Sequence, residues 1–416
     1  MPQFTKASRS WILVAVMILK VVQEPWAQDH ATPSEYKKPD TLQSFIDYAL
    51  SNNPRIEAAK KDVETQRKQI SIASSLPDPM LMSKFGSNGL KSIGGSQMIM
   101  FPTKILTERK AAQALLEKEQ AALDQVRSEV ISEITDAYSD LYSTERMRSI
   151  LKENMELLKF LEESARVKYT AGKAAQSELV KLQIELARVE DQLESMSLEA
   201  DSYRSRLAAL LNVDSLNQIT FTNTAAVSPK FAGSDEQITD ASLSGNNRLA
   251  MMNRELEAAE HMVSLAKQRY LPDFEIGAEY MQDGGMGGSW GVGVNMTVPL
   301  WVNKNQAGIE KAHEMVELMR KSILDMENMI RSETRMHLNH LRDARRKMRL
   351  YTDALIPQAR QVVELTQTEY RSGISGVMEL VDSQRTLLEL EDMYTKEQLR
   401  AQKAEVELIK LTGATK

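Results

Sequence analysis

The strongest constraint on this chain is that it contains the same pattern twice. The stretch from Asp47 to Ile56 lines up with Asp240 to Leu249, and Leu76-Pro77-Asp78 lines up with Leu271-Pro272-Asp273. Further on, Tyr169, Gly172, Glu178, Leu179, Val180, Gln183, Leu186, Glu190 and Asp191 recur as Tyr370, Gly373, Glu379, Leu380, Val381, Gln384, Leu387, Glu391 and Asp392, all at one offset of 201. Agreement at that density predicts two similar structural units, residues 41–212 and 238–416. A connector, residues 213–237, carries the Thr, Asn, Ser and Pro expected of a linker.

Both units present the same order of elements. A helix-forming stretch (Leu42 to Ser75; Ile238 to Tyr270) reaches the Leu-Pro-Asp stop, two short strand-like runs follow, and two very long helical stretches meet at a Tyr-x-x-Gly turn. In the first unit Leu179, Leu182, Leu186, Val189, Leu193, Met196, Ala200, Tyr203, Leu207 and Leu210 alternate spacings of three and four, the seam of a coiled coil. The second unit repeats it with Leu380, Leu387, Leu390, Tyr394, Ala401, Ala404, Leu408 and Leu411, interrupted at Ser383 and Glu397. Between Lys104 and Tyr169 there is neither Gly nor Pro. As one helix, at about 1.5 Å per residue, that stretch would run roughly 100 Å, long enough to cross a compartment.

The strand-like runs alternate in character. Phe274, Ile276, Ala278 and Tyr280 interleave with Glu275, Gly277, Glu279 and Met281; Trp290, Val292, Val294, Met296, Val298 and Leu300 interleave with Gly291, Gly293, Asn295 and Thr297. One face is apolar and the other polar or small. Strands are expected at about 79–86, 96–102, 273–281 and 289–300, the first pair weaker because Lys84 interrupts a face. Such runs fit transmembrane barrel strands with a polar lumen, or a soluble hairpin packed on the helices. The N-terminus favours the first reading. Lys6 and Arg9 precede the apolar run Trp11 to Leu19, and Ala27 ends the stretch, so residues 1–27 read as a secretory signal peptide, followed by an extension over 28–40. No other window is apolar for long enough to be a membrane helix, so a membrane contact after export has to be made by strands.

Four strands cannot close a barrel. Open edges inside lipid would leave backbone donors and acceptors unpaired, so several chains must contribute: two give eight strands and three give twelve.

The duplicated Leu-Pro break, hairpin, Tyr-x-x-Gly turn and heptad helix ending in Leu411-Thr412-Gly413 resemble the TolC-like outer-membrane efflux protein family over nearly the whole mature chain. Three segments carry most of the resemblance. They are Tyr370 to Gln384, the strand exit Thr297 to Trp301, and the stretch from Ser96-Gln97 to Phe101-Pro102-Thr103-Lys104, which is similar to the heavy-metal-efflux branch. The resemblance implies a mainly α fold with a small β part. Long coiled-coil hairpins would form a periplasmic α-barrel, and four strands per chain would join a twelve-stranded outer-membrane barrel in a homotrimer. It also implies a periplasmic adaptor and an inner-membrane pump of the resistance-nodulation-division type as partners, outer-membrane lipid around the barrel, and no cofactor. The cargo would be metal cations or small toxic compounds.

The family's functional positions carry over residue by residue. Gly172 and Gly373, with Tyr169 and Ser375, fall at the hairpin tips. Glu379 and Asp382 match the acidic positions that ring the constricted periplasmic entrance, and Tyr370 matches a gate tyrosine whose hydroxyl bridges helices. Ser375 departs from the pattern, standing where some relatives have a gating arginine. Lys181 faces the Asp382 position in the duplicated pattern, which raises a Lys181–Asp382 contact as one means of closing the tip.

Composition excludes other chemistries. The absence of cysteine rules out thiol catalysis, Cys-ligated metal and an anchor through a lipidated cysteine. Fifty-eight acidic against 52 basic residues gives no basis for nucleic-acid binding, and the basic run Arg342 to Arg349 fits a solvated helix face. His337 and His340 are spaced to pinch a metal but fit a solvated helix face better. Met80, Met82, Met98 and Met100 near the first hairpin are either soft metal ligands or adaptable apolar filler. The glycines from Gly284 to Gly293 do not form a dinucleotide fingerprint, and no spacing suggests a hydrolase triad or an acid/base pair, so no enzyme is expected. The alternative reading is a periplasmic coiled-coil adaptor or a structural envelope protein. An adaptor should carry one hairpin between soluble β-domains, whereas here the hairpin occurs twice.

Overall fold

A computed structural model describes residues 41–86, 89–214, 216, 234–282 and 287–413. The proposed signal peptide, the 28–40 extension and most of the connector lie outside the described residues.

The first expected helix is in fact two, α1 (Leu42–Asn52) and α2 (Pro54–Ala73). The stretch from Ile238 divides in the same way into α5 (Asp235–Gly245) and α6 (Asn247–Gln268). Local chemistry explains both breaks. Asn53 and Asn246 hold extended backbone and act as N-caps, accepting from the N–H groups of Arg55 and Leu249, and Pro54 adds a residue suited to the first helical position. Both asparagines are buried, and their amides donate outward to Leu210 O at 2.7 Å and Leu411 O at 3.3 Å.

The long helices follow the expected pattern with one interruption. α3 (Pro102–Thr170) is continuous over 69 residues and is followed by α4 (Gln176–Leu211). In the second half α7 (Val302–Leu350) gives way to a π-helical turn (Tyr351–Leu355) before α8 (Ile356–Ser372) and α9 (Val377–Thr412). Pro357 is the cause, since it has no N–H for the Asp353 carbonyl, and the Ile356 N–H reaches back to Tyr351 O instead. Half of the predicted seam is buried, Leu182, Val189, Ala200 and Leu207 in α4 and Leu380, Ala401, Ala404, Leu408 and Leu411 in α9, and its other residues, such as Leu186, Leu193 and Leu387, are half-buried.

Three apolar clusters fill the helical layer. Phe45, Ile56, Ile134, Leu141, Leu207 and Leu211 join α1 to α4. Ile238, Leu338, Leu341 and Leu408 join α5, α7 and α9. Leu158, Leu161, Leu182, Val363, Leu380 and Val381 tie the two hairpins together below their tips.

Four strands form one antiparallel sheet in the order β1 (Met80–Gly86), β2 (Gly89–Ile99), β3 (Phe274–Gln282) and β4 (Gly288–Met296). Three bounds differ from expectation by more than one residue; one is the end of β2, which stops at Ile99 rather than 102 because Pro102 already opens α3. β2 starts seven residues before 96, because its Gly- and Ser-rich first half lacks apolar alternation and is held by pairing with β1 and β3. β4 ends at Met296, so Val298 lies beyond it; Pro299 cannot donate to a ladder, and the chain turns there with Leu300 N bonded to Val298 O.

Candidate functional site

The register sorts the sheet into two faces. Phe274 lies opposite Met296, Ile276 opposite Val294, Ala278 opposite Val292 and Tyr280 opposite Trp290. The Tyr280 and Trp290 rings lie 5.3 Å apart at a tilt of 57°. Trp290, Val292 and Val294 are 75%, 80% and 66% exposed, an apolar wall that no part of the chain covers among the described residues. A bare wall of this kind marks an interaction surface.

The opposite face carries Lys84, Ser92, Gly94, Ser96, Glu275, Glu279 and Asn295. Lys84 does not break the sheet, because it turns to this face and its ammonium reaches Glu279 at 3.0 Å across β2. Met80, Met82, Met98 and Met281 share the same face, so these methionines are not part of the apolar wall.

At the far ends of the helices are the two turns. Gly172 and Gly373 have φ of +70° and +76°, a backbone region that penalises a side chain, and both stand in open space. Each caps its helix by a backbone bond reaching back five residues, Lys173 N to Lys168 O and Ile374 N to Glu369 O. Tyr169 is exposed beside the first turn.

Around the second turn, polar groups link the hairpins. The Tyr370 hydroxyl lies 3.4 Å from Ser164 Oγ on α3, and the Lys168 ammonium sits 4.0 Å above the Tyr370 ring. Glu379 occupies the first turn of α9, where the helix N-terminus favours a carboxylate, and receives a hydrogen bond from Ser375 at 2.7 Å. Asp382, one turn on, is exposed. Within the chain its ionic neighbour is Arg385 at 3.6 Å, not Lys181. Arg385 also grips Glu185 of α4 at 2.8 Å and thereby ties the two hairpins, which holds its guanidinium above its ordinary pKa. The Arg385–Glu185 pair was not legible in sequence, because neither residue belongs to the repeated tip motif.

A second polar junction joins strands to helices. The Lys104 ammonium contacts both Asp273 oxygens at 2.8 Å and Leu271 O at 2.9 Å, while Phe101 N donates to Asp273 Oδ1 at 3.0 Å. The Asp273 carbonyl accepts from Thr297. The second Leu-Pro-Asp motif, Leu271-Pro272-Asp273, is therefore an anchor as well as a helix stop.

His337 and His340 lie with ring centroids 6.2 Å apart and nearly perpendicular, and burial lowers the His337 pKa. Among the described residues no group of three metal-ligating side chains converges there or elsewhere. No described helix is long and apolar enough to cross a membrane.

Residues 238–414 match the model of a family described as outer membrane efflux protein. The chain is similar to the cobalt-zinc-cadmium resistance protein CzcC of Cupriavidus metallidurans, with 20% identity over 378 residues that cover 87% of each protein. Its fold matches that of the outer-membrane channel OprN, with a TM-score of 0.77 at 17% identity, covering 92% of this chain and 94% of that one. The open-state MtrE outer membrane channel of Neisseria gonorrhoeae matches equally, with a TM-score of 0.77 at 15% identity, covering 94% and 97%.

Proposed function

We propose that this chain is an outer membrane efflux protein, the passive exit duct of a tripartite efflux system for metal cations; the match of residues 238–414 to that family's model and the similarity to CzcC over 87% of each protein support the reading. In this reading residues 1–27 direct export and are removed, residues 41–212 and 238–416 are duplicated units, and three chains close a twelve-stranded barrel in the outer membrane. A periplasmic adaptor and an inner-membrane pump deliver cargo to the helical end. Small toxic organic compounds are the other cargo such a duct would take; the similarity to CzcC favours metal.

One observation carries the proposal. β1 and β4 are the outer strands of a sheet, unpaired at its edges among the described residues, whose apolar wall is bare of those residues and whose other wall bears charge. Lipid against the first wall and an aqueous passage along the second satisfy both, provided the edges are paired by further copies.

Glu379 and Asp382 would then form the selective constriction, with Tyr370 and its contacts to Ser164 and Lys168 holding the tip helices in place. Three copies would bring six carboxylates to one aperture, and such a ring favours cations and repels anions. Lys181, exposed on α4, would lower that negative potential from the side. The test is planar-bilayer recording of the purified protein. Glu379→Gln with Asp382→Asn should lower cation-over-anion permeability and relieve block by multivalent cations. Wild-type protein with no conductance would overturn the duct reading, and a doubly substituted channel with unaltered selectivity would remove these two residues from the aperture.

A further inference from the structure

The two halves of the chain make matching contacts at matching positions. Asn53 donates to Leu210 O as Asn246 does to Leu411 O. Arg55 pairs with Glu133 as Arg248 does with Glu333, and Lys61 pairs with Glu64 as Arg254 does with Glu257. These contacts set Lys61 of α2 against Arg254 of α6. They also set α3 against α7, which open at Pro102 and Val302 and carry Lys104 and Lys304 two residues later.

Two ion pairs between the halves, in contrast, have no reciprocal pair among the described residues. From the first half, Lys104 and Glu117 of α3 reach into the second half, where they pair with Asp273 at 2.8 Å and with Arg254 at 2.9 Å. Their counterparts in the second half are Lys304 and Glu317 of α7, and the counterparts of Asp273 and Arg254 are Asp78 and Lys61. Lys304 and Asp78 are exposed, with no ion-pair partner among the described residues. Glu317 and Lys61 pair only one turn away on their own helices, with Arg320 and Glu64. The apolar surroundings are also bare: Trp301 is 77% exposed, whereas Phe101 at the satisfied junction is half-buried.

We propose that the α7–β4 side of one chain docks on the α2–β1 side of a second copy, head to tail, in the arrangement that α3–β2 and α6–β3 adopt within one chain. Lys304 then takes the partner's Asp78, and Glu317 takes the partner's Lys61, each with the same charge order as the internal pairs. The two docking surfaces differ, so the contact is heterologous, and a ring closes when successive rotations bring the last copy back to the first. This inference rests on the assembly proposed above and specifies its joint: Lys104–Asp273 inside each chain alternates around the ring with Lys304–Asp78 between chains.

The chain has no native cysteine, so every introduced thiol is unambiguous. Full-length protein is purified in mild detergent carrying Lys304→Cys with Asp78→Cys, or Glu317→Cys with Lys61→Cys, and treated with a short thiol-specific bifunctional linker. Both pairs should give a ladder of covalent dimer and trimer, while Lys104→Cys with Asp273→Cys should link within the chain and leave its mass class unchanged. As a second measure, Lys304→Asp and Asp78→Lys should each lower the temperature at which the oligomer dissociates on a heat-modifiability gel, and the double reversal should restore it. Absence of the ladder, together with no rescue in the double reversal, in a protein that still runs as an oligomer overturns the joint and leaves the assembly standing. A wild-type protein that runs as a monomer in mild detergent overturns the assembly itself.

Discussion

Removing the Asp273 carboxylate should destabilise the chain by several kcal/mol. The Lys104 side chain is 11% exposed and that of Asp273 is 26% exposed, so the pair is largely withdrawn from water. One carboxylate serves both the ammonium and the Phe101 N–H, and it bridges the end of β2 to the start of β3. Breaking a buried ion pair from one side costs about 3–5 kcal/mol because the remaining charge is left uncompensated. Asp273 is about one-quarter open and Lys104 keeps the Leu271 carbonyl, which places Asp273→Ala near the lower end, at about 3 kcal/mol. Asp273→Asn keeps an acceptor for Phe101 and should cost about 1–2 kcal/mol. Lys104→Met combined with Asp273→Leu removes both charges and leaves two neutral groups unpaired, the Phe101 N–H and the Leu271 carbonyl, so the pair of changes should cost less than Asp273→Ala alone, which strands a charge. The measurement is guanidinium unfolding of the detergent-solubilised protein followed by far-ultraviolet circular dichroism. The argument fails if Asp273→Ala costs under about 0.5 kcal/mol, the range of ordinary surface changes, or if the double apolar variant is as unstable as the single one.

Two further outcomes follow from the helical layer. Asp136 has its pKa pushed up to about 6, first by burial and then by the charges of Glu407 and Asp140, against the opposing pull of Lys403 and Arg206; its Oδ1 is buried without a hydrogen-bond partner. The folded state therefore holds this proton more tightly than the unfolded chain, so the stability due to Asp136 is present below about pH 4 and is lost as pH rises to about 6. Asp136→Asn should flatten that window and leave the protein about 1–2 kcal/mol more stable than wild type at neutral pH, read from unfolding midpoints across the pH range; equal pH profiles would refute the assignment. At the end of α5, a Cβ on Gly245 would overlap the backbone carbonyl of Thr412, which has no side-chain freedom with which to yield. Gly245→Ala should cost about 1–3 kcal/mol in the same unfolding assay, and a neutral result would mean that the α5–α9 crossing is looser than described.

Much of the architecture was legible because it follows from local periodicity. The three-and-four spacing from Leu179 to Leu210 can bury its apolar residues only as a helix packed on another, and it does. The alternation from Phe274 to Tyr280 gives the same two faces whether or not the partner strand is known. Less was legible where the backbone answers to distant partners. The early residues of β2 have no apolar pattern of their own and become strand through β1 and β3. The breaks at Asn53 and Asn246 are local N-caps, the plainer one marked by Pro54, while the bonds from both amides to Leu210 O and Leu411 O left no mark in the sequence.

At the tip, the repeated motif located Gly172, Gly373, Tyr370, Glu379 and Asp382, but not the contacts that hold them. The duplicated pattern suggested Lys181 as the neighbour of Asp382; in the folded chain Arg385 fills that place and also reaches Glu185. The sequence by itself determined where the long helices run, which residues of β3 and β4 share a face, and where the chain reverses, since these depend on neighbours within a few residues. Only the tertiary structure decided which charges meet, how far β2 runs, and that Lys104 finds Asp273 while Lys304 and Asp78 find no ion-pair partner among the described residues. Pairings such as Lys104–Asp273 are set by side chains more than 150 positions apart in the chain, a separation over which sequence pattern carries no distance information.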